Sequence, residues 1–163
     1  MAFIGLVAYR QTTREPEKGE EEKEESGGGR LLDATKAFED KLALVAQTLD
    51  QLASKQPGTM GKTDFDKMRS ELDALRSRAL QRLNEAKVAA GPGRYFDLLT
   101  QIQDAAREED RAARDLINLY EQYQTRRMRE DTFQKLLPNY RRRLNGAINR
   151  LSDLLNSAQK EAG

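Results

Sequence analysis

The sequence predicts an all-α protein: two antiparallel helical hairpins, forming a four-helix bundle or a coiled-coil assembly, behind a disordered acidic N-terminal tail. Three observations carry this. Apolar residues recur at alternating three- and four-residue steps in four stretches, which sets a narrow seam along one side of each helix, and such a seam is stable only against another helix. Turn formers at Gln56-Pro57-Gly58 and Gly91-Pro92-Gly93 separate the stretches. Two stretches also repeat one another at a shift of 68 residues: Met60, Phe65, Lys67, Ala79, Arg82 and Leu83 fall on Met128, Phe133, Lys135, Ala147, Arg150 and Leu151. Two hairpins of one kind in series would leave that trace.

The tail comes first. Residues 1–30 carry seven acids and five bases and end in Ser26-Gly27-Gly28-Gly29-Arg30, too few apolar groups to offset the entropy of ordering. The apolar run Ala2 to Tyr9 is too short to span a bilayer and lacks the basic leader and cleavage site of a signal peptide. It reads as an unimportant start, with docking on a partner as the alternative.

Hairpin one covers 31–90. Asp33 is a suitable N-cap for a helix reaching Ser54, with its seam at Phe38, Leu42, Val45, Leu49 and Leu52. Thr63 and Asp66 form a capping box at the head of a second helix that ends near Val88. Its seam is Phe65, Met68, Leu72, Leu75, Ala79, Leu83 and Ala86. The preceding Gly58-Thr59-Met60-Gly61-Lys62-Thr63 superficially resembles a phosphate-binding loop, but the spacing is two residues short and a helix precedes it, so it reads as a turn and a cap.

Hairpin two covers 94–160. A helix from Tyr95 to Arg127 uses Phe96 or Leu99, then Ile102, Ala106, Ala113, Leu116, Tyr120 and Tyr123. A last helix, capped by Asp131 and ending near Lys160, uses Phe133, Leu137, Tyr140, Leu144, Ala147 or Ile148, Leu151, Leu154 and Ala158. The doublets Leu136-Leu137 and Leu154-Leu155 give it the wider apolar face. Pro138 lacks a backbone donor and crowds the preceding turn, so a bend is expected there.

Composition excludes several kinds of chemistry. Charged residues make up 34% of the 163 and aromatics 6%, which suits long solvated helices around a moderate core. The net charge of +1 supplies no global field to attract nucleic acid or an anionic membrane. Histidine and cysteine are both absent, which excludes disulfides, thiol nucleophiles, imidazole bases and the usual zinc sites. The expectation is therefore a protein that is not an enzyme, takes no cofactor, holds no metal and resides in the cytoplasm. Glu108-Glu109-Asp110 interrupts the third seam beside Arg107, Arg111 and Arg114. It reads as a charged layer that sets register or as an exposed turn of a long helix.

Arg126, Arg127, Arg129, Arg141, Arg142 and Arg143 are the candidate partner-binding residues. They lie in a segment, 126–163, with nine bases against four acids and with aromatics nearby. Such interleaving can bind nucleic acid or anionic lipid. Tyr120, Phe133 and Tyr140, however, fall on seam positions, and consecutive arginines spread around a helix, so an acidic protein partner, or the chain's own acidic tail, is favoured over either polyanion, beside the plain reading of arginines that are simply solvated. The seam residues Leu42, Leu49, Leu72, Leu75, Tyr120, Phe133, Leu144 and Leu151 point in addition to self-association as a homo-oligomer. The expected function is a non-catalytic scaffold or adaptor working through coiled-coil contacts, the alternative an accessory protein that binds nucleic acid or anionic membrane through 126–150.

A long helix that breaks at a short polar turn and resumes with an aromatic occurs twice, from Leu52 to Phe65 and from Tyr120 to Phe133. Over roughly residues 38–160 this texture resembles the helical part of the coiled-coil subunit of the archaeal ESCRT-related cell-division machinery, without that subunit's β-barrel. The resemblance implies a cytoskeletal or cell-division scaffold near membranes or filaments, and assigns no individual residue a role.

Overall fold

In a computed structural model, residues 18–93 and 95–162 are described, the side chains of 18–28 excepted. The apolar run at 2–9 lies outside them. The described residues are almost wholly helical: α1 Lys18–Ser54, α2 Lys62–Ala90, α3 Phe96–Gln124 and α4 Glu130–Ala162. Helices α1 and α2 pair along their length, as do α3 and α4, and the two hairpins close through α1 against α4 and α2 against α3. Short connections force antiparallel neighbours, so the four helices run up-down-up-down around one core. Among the described residues no helix is long and apolar enough to cross a membrane.

Several boundaries differ from those expected. Helix α1 reaches back past Asp33 to Lys18, through residues assigned above to the disordered tail. Leu31 and Ala34 are packed and anchor this helix, while the extension before them crosses Gly19 and Gly27 to Gly29, each of which costs about 1 kcal/mol relative to alanine in a helix interior. Helix α2 begins one residue before Thr63, and the Thr63–Asp66 box does not form. Gly61 is the N-cap, and its amide donates to Asp64 Oδ2 at 3.0 Å. Helix α3 stops at Gln124 rather than Arg127. The Arg126 amide donates to Tyr123 O at 3.1 Å and the Arg127 amide to Gln122 O at 2.8 Å, the two bonds of a Schellman termination. Arg126 takes the left-handed conformation, φ 61°, that usually falls to glycine there. As expected, helix α4 continues through Pro138. Gln134, whose carbonyl loses its donor, and Pro138 are both exposed, so water can take the place of the missing bond.

The apolar interior has two parts. Near the end where α1 meets α2 and α3 meets α4, Val45, Leu52, Met60, Phe65, Leu72, Leu116, Tyr120, Phe133 and Leu144 pack together. Phe133 stacks on Tyr123 with ring centres 4.0 Å apart and meets Tyr120 edge-on at 5.3 Å. Toward the other end, Leu31, Phe38, Ala79, Leu83, Leu99, Ile102, Leu151 and Leu155 form the second part. The expected seams hold at Leu72, Tyr120, Phe133, Leu144 and Leu151, which are all buried. Leu42, Leu49 and Leu75 are only half-buried flanks. The widest buried face belongs to α3, not α4. It includes Ala105, Ala106, Ala112 and Ala113, small residues that let neighbouring helices approach closely and that a search for bulky apolar positions undercounts.

The 68-residue offset survives in three dimensions. Helices α2 and α4 begin at Lys62 and Glu130, and Leu31, Ala37, Leu52, Phe65 and Leu83 correspond to Leu99, Ala105, Tyr120, Phe133 and Leu151, all buried.

Candidate functional site

The two apolar clusters are divided at mid-length by a layer of charge. In α1 the innermost positions after Phe38 are Lys41, Val45, Thr48 and Leu52, so a lysine occupies a core position that the leucine-based seam had given to Leu42. Lys41 is 2% exposed and Glu109 1%. Lys41 Nζ donates to Glu109 Oε1 at 2.6 Å and lies 3.2 Å from Asp110 Oδ1. Asp110 Oδ2 in turn receives Arg114 Nε at 2.8 Å and Arg76 Nε at 3.2 Å, and Arg114 also pairs with Asp73. Three cations and three anions from α1, α2 and α3 therefore balance one another. Of the acidic triplet, Glu109 and Asp110 make the buried layer while Glu108 is exposed.

Glu109 is the unusual member. Burial raises its pKa above the ordinary 4.5, opposed by the charge and hydrogen bond of Lys41 and assisted by the neighbouring Asp110. Its second oxygen, Oε2, is buried without a hydrogen-bond partner. Glu109 and Lys41 also line a cleft of about 70 Å³ among α1, α2 and α3, together with Phe38, Arg76, Leu80, Gln103, Ala106 and Arg107. The α1–α3 pair at the heart of the layer was not read from the sequence, although the repeat contains it. Lys41 and Glu109 are 68 residues apart, equivalent positions of the two halves brought face to face.

The six expected arginines do not converge. Arg126 lies against the turn at Gly58, where an added Cβ would stand 2.7 Å from its Nη2. Arg127 faces Glu121 and Thr125, and Arg129 faces Asp131. Arg141 donates to the Tyr120 hydroxyl at 2.9 Å, Arg142 to Asn139 at 2.9 Å, and Arg143 to Asp115 at 2.7 Å. A tighter gathering combines Arg143 with Arg111 and Arg150, which the sequence reading left out. They border a groove between α3 and α4 whose floor is Ala112, Gly146 and Ala147, with Glu108 at its edge. Arg143 and Arg150 are two helical turns apart on one face of α4, the signal that would have selected them. Among the described residues no group of three acidic side chains could hold a metal ion. No protein-family model, curated protein or solved structure matches the chain.

Proposed function

We propose that the chain is a non-catalytic helical adaptor that acts through protein–protein contacts, with an acidic protein as partner and a cytoplasmic location. One observation carries this reading. Of the charges that the fold buries, Lys41, Glu109 and Asp110 are balanced with Arg76 and Arg114 in a layer that fixes helix register, Glu121 pairs with Arg69 and Arg127, and the other charges lie along the outside of a stiff rod. Helix α3 alone, with 29 residues, is about 43 Å long. The buried seam leucines are occupied within the chain, so self-association would use the charged exterior rather than those seams. A role beside membranes or filaments, as in cell division, fits a rod of this kind.

Arg111, Arg143 and Arg150 around one groove favour a second reading, in which the α3–α4 face binds phosphate groups of nucleic acid or lipid. Titration with duplex DNA, RNA and phosphatidylserine vesicles at about 0.15 M salt separates the two, because screening beyond about 8 Å removes diffuse attraction. The adaptor reading expects no binding to any of them, and a defined-stoichiometry protein complex that is lost when Arg111, Arg143 and Arg150 become glutamate. Tight polyanion binding abolished by the same three changes would establish the second reading instead.

A further inference from the structure

We propose that the acidic partner of the α3–α4 groove is a second copy of this chain, whose α1 extension, residues 18–25, lies across Arg111, Arg143 and Arg150. This inference rests on the adaptor reading and names its partner.

Helix α1 is longer than the bundle. Leu31 packs with Ala86, Leu99 and Ala158 at the end where Ala90, Tyr95 and Ala162 border the same cluster. Lys18 begins the helix thirteen residues before Leu31, about 20 Å beyond that level. Residues 18–25 comprise five glutamates and two lysines, a net charge of −3. The groove of the same chain is out of reach of this straight extension. Arg111 lies twelve residues past Leu99 in α3, about 18 Å into the bundle and in the opposite direction.

The groove of another copy supplies the complement. Its floor, Ala112, Gly146 and Ala147, carries no long side chain, so a helix can approach closely. Arg143 and Arg150 are 47% and 51% exposed, and Arg111 is exposed as well, so all three can be reached from solvent. Among the described residues Arg111 has no ion-pair or hydrogen-bond partner. Arg150 is held loosely, 3.9 Å from Glu108, and Arg143 gives Asp115 one of its five donors. Guanidinium groups with donors to spare therefore match a segment with a surplus of carboxylates. Two acidic extensions repel one another, so the contact joins unlike surfaces, one extension to one groove. Each such contact leaves a free extension on one copy and a free groove on the other, and the assembly grows as an open chain or closes as a ring.

Sedimentation equilibrium of the full-length protein tests this. At about 0.1 M salt, where screening sets in beyond about 10 Å, the mass should rise with concentration to at least twice the 18.5 kDa of one chain. At about 1 M salt, where that length is about 3 Å, it should return to 18.5 kDa. Arg111→Glu, Arg143→Glu and Arg150→Glu together reverse the groove, and Glu20→Lys, Glu21→Lys and Glu24→Lys together reverse the extension, with circular dichroism to check that both proteins keep their helix content. Each reversed protein alone should stay monomeric. Their equimolar mixture should associate, because the acidic extension of the first meets the unchanged groove of the second, and the basic extension of the second meets the reversed groove of the first. Contact within one chain cannot produce that rescue. A wild type that stays at 18.5 kDa at every concentration would overturn the proposal, as would association that survives either reversal, or a mixture that stays monomeric. A monomeric wild type that also binds no DNA, RNA or phosphatidylserine vesicle overturns this inference and leaves the adaptor reading standing. Tight binding to any of the three removes the adaptor reading and this inference with it.

Discussion

Replacing Lys41 by methionine keeps the length of the side chain and deletes the charge between Glu109 and Asp110. Asp110 retains Arg114 and Arg76, but Glu109 loses its hydrogen-bond donor and keeps a carboxylate neighbour in a buried setting. Removing one partner of a buried ion pair costs about 3–5 kcal/mol, a large part of the roughly 5–15 kcal/mol that holds an ordinary domain folded. The loss should depend on pH. In the folded wild type the Glu109 pKa already lies above 4.5, so the folded state holds that proton more tightly than the unfolded chain does. A raised carboxylate pKa favours folding at low pH, and that contribution disappears as pH climbs from about 4.5 through the folded value. Lys41→Met removes the charge and the hydrogen bond that oppose the rise, so the folded pKa moves further up. The variant should therefore lose less stability relative to wild type at pH 5 than at pH 8, because Glu109 can be neutral at the lower pH. Urea unfolding followed by circular dichroism at both pH values measures this, with the wild type subtracted to remove the titration of the other carboxylates. Lys41→Met combined with Glu109→Leu removes both members and should recover at least half of the loss. A cost for Lys41→Met below about 1 kcal/mol, or the same cost at both pH values, would show that the layer is solvated and would refute the reasoning.

Gly58→Ala should cost about 1–2 kcal/mol, because φ is +84° and the new methyl meets Arg126; Arg126→Gly should relieve its own left-handed strain by about 1 kcal/mol and soften the Gly58→Ala loss, as thermal unfolding of the two single variants and the double variant will reveal. Leu151→Ala empties a fully buried position and should cost about 2–5 kcal/mol, whereas Leu32→Ala, at 43% exposure, should stay within about 0.5 kcal/mol; similar costs at both sites would contradict the core assignment. Pro138→Ala restores a backbone donor in the interior of α4 and should raise the melting temperature, and an unchanged or lower value would mean that the surrounding helix is adapted to the proline.

The sequence by itself determined that four helices form and pair as two hairpins, because seam periodicity and the Pro-Gly turns are local properties that packing did not override. It also determined that Tyr120, Phe133, Leu144 and Leu151 face inward, since each repeats at helical spacing with other apolar residues. Helix ends were less legible. Arg126 closes α3 in a conformation normally left to glycine, and α1 extends through acidic residues that composition alone assigns to a tail. Only the tertiary structure decided what stands at the centre. A lysine next to a seam leucine looks exposed until a second helix supplies its counter-charge, and Lys41 found Glu109 at the equivalent position of the other half. That pairing of unlike charges ties hairpin one to hairpin two, because two copies of either hairpin packed in the same way would set like charge against like in a buried layer. Which of two similar halves belong together is thus a property of their contact, and neither half carries it alone.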